Sequence, residues 1–139
     1  MRLTGAERQA RHRAKDIEKS RAAWRDWSRT PEGTVTVLLN YARDRARREG
    51  LPFDLEREFI REKLSRGLCE LSGLAIQRIA PGGYRTHPYA PSLDRKEPAL
   101  GYIKSNVRLV CFAVNRARSD WGDEVLLTIA SGLIKHVTA

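Results

Sequence analysis

Pro91 to Arg118, PSLDRKEPALGYIKSNVRLVCFAVNRAR, constrains the fold more than any other part of the chain. Ser92-Leu93-Asp94 can end one short strand, and Lys96 to Ser105, with Pro98 and Gly101, is rich in turn residues. Val107-Arg108-Leu109-Val110 alternates with a β-branched bias and reads as a second strand. From Cys111 the pattern changes to a short helix, with Phe112, Val114 and Asn115 within its first turns. A hairpin followed directly by a helix would bring Asp94, on the first strand, near Asn115 on the helix.

The residues before this stretch read as helical support. Thr30-Pro31-Glu32 is a strong helix start, with Thr as N-cap, Pro at the first helical position and an acid in the first turn. Val35, Leu38, Leu39, Ala42 and Ala46 follow at helical spacing until Gly50, while Arg43, Arg45, Arg47 and Arg48 take the outer face. Asp54 is expected to cap a second helix, with Leu55, Phe59, Ile60 and Leu64 on one face and Gly67 at its end. Pro81-Gly82-Gly83 signals a loop or hairpin. Beyond Arg118, Trp121-Gly122 breaks the chain, and Asp123 to about Ile134 predicts a closing amphipathic helix through Val125, Leu126, Ile129 and Leu133.

Residues 1 to 29 hold nine Lys or Arg against four Asp or Glu, and they permit a helix from about Ala6 to Trp27. Its apolar stripe, Ile17, Trp24 and Trp27, is too sparse to secure most of it to a core. The segment reads either as a basic arm lying along a phosphate backbone or as a solvated helix docked through its tryptophans. The 139 residues suffice for one modest core. The expected class is therefore α+β: an arm over 1 to 29, then one domain over 30 to 139. In that domain a mostly helical N-terminal half packs on a strand-strand-helix unit at about 91 to 118, and a C-terminal helix closes it.

A formal net charge of +9, carried mostly by Arg, favours a polyanionic partner over a small neutral substrate. Nucleic acid fits best, and DNA is the expected partner. No apolar run approaches the length of about 20 residues that spans a bilayer, and the N-terminus lacks the apolar core of a signal peptide, so an intracellular setting is expected. Cys69 and Cys111 each stand alone, with no neighbouring His to complete a set of four ligands. Both read as small buried residues, and no structural zinc is expected.

Taken alone, Asp94 can be a turn residue and Asn115 a helix hydrogen-bonder. Their surroundings give them more meaning. Ser92-Leu93-Asp94-Arg95, Gly101-Tyr102, Asn106-Val107-Arg108 and Cys111 to Asn115 form an ordered series that resembles the HNH, or His-Me finger, nuclease superfamily, most closely its small phage-type members. The likeness extends more loosely from Thr30 to the C-terminus. It implies a ββα-metal unit and a DNA endonuclease dependent on a divalent cation, Mg2+ or Mn2+, held by Asp94 and Asn115. Such a hard cation prefers oxygen ligands and shares its shell with phosphate. The resemblance gives Asn106 the task of holding the loop between the strands, and likens Leu68 to Gly73 to a tight structural turn before the unit.

One position departs from the series. The superfamily usually places a water-activating His directly after the metal-binding Asp, and here that position is Arg95, which cannot accept a proton. Two outcomes follow: a base from elsewhere, or a DNA-binding accessory that keeps the fold and has lost catalysis. His87, on the segment leading into the first strand, is the candidate base; its other reading is an ordinary loop residue. Arg95, Arg116 and Arg118 are expected near the metal, gripping phosphate oxygens. Lys104 and Arg85 are further candidate DNA contacts, Arg85 within an aromatic and basic run from Tyr84 to Tyr89. The alternative for Arg95 is a surface ion pair with Glu97.

Overall fold

Thr30 starts the central helix of the molecule as its capping chemistry requires, its Oγ1 accepting a hydrogen bond from the Gly33 amide at 3.1 Å. The computed structural model describes residues 3–80, 82–83 and 86–139. Its order is α1 (Gly5–Ser28), α2 (Pro31–Glu49), α3 (Arg57–Arg66), β1 (Pro91–Arg95), a short 3-10 turn (Pro98–Leu100), β2 (Val107–Cys111), α4 (Phe112–Arg118) and α5 (Asp123–Val137). Five helices and a two-stranded antiparallel sheet make this an α+β fold.

The main core lies between α2 and everything that follows it. Val35, Leu39, Ala42 and Ala46 share one face of α2 and meet Leu55, Ile60 of α3, Tyr102 and Val107. Cys69, Val110 and Cys111 form a second, smaller cluster with Leu71, Ile76 and Val114 around it. All five residues of β2 are buried, which explains its nearly unbroken apolar run. Arg108 is the exception in that run and marks the site described below.

Two glycines are fixed by close backbone approach. A Cβ on Gly33 would lie 2.0 Å from the Trp27 carbonyl oxygen, so α1 can fold back onto the start of α2 only with glycine there. A Cβ on Gly101 would lie 2.5 Å from the Pro52 carbonyl oxygen, and its φ of +72° is one that side chains resist.

Three elements differ from the sequence expectation. Asp54 does not cap α3, which starts at Arg57 after Glu56. Instead Asp54 Oδ1 accepts from the Lys104 amide at 2.7 Å, and the Asp54 amide donates to the Tyr102 carbonyl at 3.0 Å. The connector thus clamps the loop of the β1-β2 hairpin, a long-range duty that capping rules do not see. The tryptophans of α1 are not its buried residues: Trp24 and Trp27 lie tilted against each other with 5.2 Å between centroids and remain partly exposed, while Ser28 is the buried residue of that helix. Finally, no residue of α5 is buried, although its apolar positions keep helical spacing.

Candidate nucleotide-binding cleft

β1 and β2 pair in the register Asp94↔Arg108, with Ser92 opposite Val110 and Leu93 opposite Leu109. Directly cross-strand neighbours touch, and Arg108 Nε donates to Asp94 Oδ2 at 2.7 Å. α4 starts without a connector after β2, so it lies against β1. From α4, Asn115 Nδ2 donates to Ser92 Oγ at 2.7 Å and to the Leu93 carbonyl at 3.2 Å. Asn115 therefore sits beside the residue preceding Asp94, and both line one cleft of about 700 Å3 between α2 and the hairpin-helix unit.

Arg118, at the end of α4, points inward. Its Nη1 donates to Asp94 Oδ1 at 3.2 Å and to the Arg95 carbonyl at 3.1 Å, its Nη2 to the Lys96 carbonyl at 2.6 Å, and its Nε to Asp123. Arg108 grips Asp123 with both terminal nitrogens, at 2.9 and 2.5 Å. Asp94, Asp123, Arg108 and Arg118 thus form a quartet of two acids and two guanidiniums, with no net charge. The Arg108 hydrogen bonds hold the Asp123 carboxyl well below the usual carboxylate range, with Arg118 adding to them against the opposing effect of burial. The same Asp123 contact raises Arg108, again against burial.

Asn106 is buried ahead of β2 and uses both ends of its amide. Its Oδ1 accepts from the Glu97 amide at 3.0 Å, and its Nδ2 donates to the carbonyls of Glu97 and Gly101 at 2.9 and 2.8 Å. The loop between the strands is tied by this one side chain. Behind β2, Cys69 Sγ accepts from the Cys111 amide at 3.3 Å and the Glu70 amide donates to the Leu109 carbonyl at 2.8 Å, joining the turn at 68 to 73 to the strand. Burial pushes the Cys111 thiol up to about 11, so it is neutral and inert there.

The remaining candidates separate by position. Arg95 lines the cleft, but it does not pair with Glu97. Its Nη1 donates to the Pro98 carbonyl at 3.0 Å and lies 3.5 Å from Glu49, and its guanidinium packs 5.1 Å from the Tyr102 ring centroid. Arg116 lines the cleft too, over the Phe112 ring at 5.9 Å, and has no carboxylate partner among the described residues. Arg118 is not a surface DNA contact: it is 4% exposed and committed to the quartet. Lys104 lies outside the cleft lining, its Nζ 3.0 Å from Glu56. His87 is likewise not part of that lining, and its Nε2 is buried without a hydrogen-bond partner among the described residues. Arg85 and Tyr84 fall outside the described residues.

Sequence reasoning missed Asp123 and the inward role of Arg108. An arginine in the middle of an otherwise apolar strand was the available signal, since a buried guanidinium requires acids. It also missed Tyr41 of α2 and Asp120, which line the cleft together with Arg45 from the arginine face of that helix.

As a place for a hard cation, the donors fit in kind. A carboxylate has about four acceptor positions, and each Asp94 oxygen takes one guanidinium donor. Asn115 donates through nitrogen, and its Oδ1 accepts no hydrogen bond among the described residues. No three His, Cys, Asp or Glu residues gather into a metal-ligating group among the described residues. The quartet is already neutral, so the fit is to a cation that arrives with phosphate oxygens completing both its shell and its charge.

No protein-family model and no curated protein matches the chain. Among solved structures it is similar to PacI, a rare-cutting HNH restriction endonuclease described for its mechanism of DNA perturbation. The identity is 21% and the TM-score 0.49, over 76% of this chain and 78% of that one.

Proposed function

We propose that the chain is an HNH-type DNA endonuclease that hydrolyses phosphodiester bonds with a divalent cation, Mg2+ or Mn2+. The observation that carries this is the convergence of Asp94 and Asn115 on one cleft, built by a hairpin whose loop Asn106 ties and a helix that follows without a connector. Asp94 and Asn115 would hold the cation, which supplies charge neutralisation on the phosphate and help for the leaving oxygen. Arg116, without a carboxylate partner among the described residues, binds non-bridging phosphate oxygens, and Arg95 presents a second guanidinium from the strand. Arg108 and Arg118 orient Asp94 from both sides. Asp120 is the cleft-lining carboxylate outside the quartet, and in this reading it accepts the proton from water.

A second reading is favoured by a specific feature: both Asp94 oxygens already hold guanidiniums and Arg95 stands where a base is usual. That reading is a DNA-binding accessory without catalysis. Supercoiled plasmid separates the two. Incubation of the full chain with Mg2+ or Mn2+ should yield open circles, and EDTA should prevent it. Plasmid that is bound but stays supercoiled with either cation would overturn the nuclease reading in favour of the accessory.

A further inference from the structure

We propose that the cleft takes unpaired DNA, one or two nucleotides of a single strand, with Tyr41 as the surface on which a base stacks. The inference rests on reading the cleft as a DNA site and adds the form of the substrate. Asp94 is only 3% exposed, so a phosphodiester meets it only by entering the cleft. At about 700 Å3 the space is that of a site enclosing a small molecule, roughly 300 to 1,000 Å3. A duplex, whose grooves alone are about 6 to 12 Å wide, does not enter a space of that size.

The walls are of two kinds. α2 contributes Val37, Leu38 and Tyr41, and α4 contributes Phe112 facing the same space, so apolar and aromatic surface flanks it. Arg45, Arg95 and Arg116 lie among them. A groove that held only a phosphate backbone would need the arginines and not the apolar wall. Aromatic faces beside cations are what an unpaired strand uses, because every base has a π-face to stack while its phosphate is gripped. Tyr41 is 62% exposed on a helix whose Val35, Leu38 and Leu39 pack on the core.

Binding of labelled single-stranded DNA and of the matching duplex, measured by fluorescence anisotropy in EDTA, tests this for the parent, Tyr41→Ala and Tyr41→Phe. The single strand should bind at least as tightly as the duplex. Tyr41→Ala should weaken the single strand about 5- to 150-fold, the equivalent of about 1 to 3 kcal/mol of stacking, and change duplex affinity less than about twofold. Tyr41→Phe should keep parental affinity, since the ring remains. Because Tyr41 is exposed, an unchanged circular dichroism spectrum is expected for both variants. Equal loss on single strand and duplex, or no loss on either, would overturn the proposal. Cleavage is not read in EDTA, so a chain that binds single strands through Tyr41 but never nicks plasmid overturns the nuclease reading alone.

Discussion

Asp94 has two duties, and they conflict in any simple substitution. It is a candidate cation ligand, and it is also the carboxylate that keeps Arg108 and Arg118 from being buried without a full set of partners. Removing one partner of a buried ion pair costs about 3 to 5 kcal/mol, because the remaining charge stays buried. Asp94→Ala should therefore lose stability of that order, read as a lower urea midpoint, and lost cleavage by this variant alone says little about chemistry. An unaltered midpoint would show that the guanidiniums find water or other acceptors. His87 gives the opposite case. It lies off the cleft lining, so His87→Ala should nick plasmid within about twofold of the parental rate and with the parental pH profile. A loss on the order of 10²-fold, the usual effect of removing a general base, would return His87 to the site.

Between elements, the strongest exposed ties are also acidic side chains under arginines. Glu32 at the start of α2 reaches Arg61 and Arg57 of α3, and the Arg61 hydrogen bond leads in bringing its carboxyl down from 4.5 to about 2. Asp123, at the start of α5, is depressed as well. Both groups are lowered on folding, so their contribution is complete above the unfolded carboxyl values of about 4 and is lost as pH falls through the folded ones. Stability to urea should stay level down to about pH 4.5 and decline toward pH 2, less steeply in Glu32→Gln. A parent curve that remains flat to pH 2 would refute this linkage. Local chemistry made these elements legible before their contacts were known. Thr30 with Pro31, Gly50 and Gly67 mark helix ends through rules that act over a few residues, and the hairpin and α4 follow from period and turn content. Asp54 misled because the same local rule competed with a bond to Lys104, fifty positions on. The spacing of α5 suggested an amphipathic helix closing the domain, but periodicity states which side is apolar and not whether anything covers it.

At the scale of the whole molecule, α2 and the β1-β2-α4 unit are two bodies joined by a shared core, and the cleft is the space left where they part. Asp94 and Asn115 were legible as a pair because the hairpin and helix set their proximity locally. The neutral quartet was not, since Arg118 and Asp123 reach Asp94 through a turn whose direction no local pattern fixes. No helix among the described residues is long and apolar enough to cross a membrane, and the net charge of +9 leaves the molecule strongly attracted to polyanions. Whether that attraction serves hydrolysis is decided most directly at Asn115. It is only partly buried and holds no charge, so Asn115→Ala should remain folded, unlike the Asp94 variant. The measurement is the rate of plasmid nicking by folded Asn115→Ala beside the parent, with Mg2+ or Mn2+. A loss on the order of 10²-fold or more, as when one group stabilising transition-state charge is removed, is the predicted result. Parental nicking by the folded variant would contradict the assignment of the Asp94 and Asn115 pair as the centre of the site.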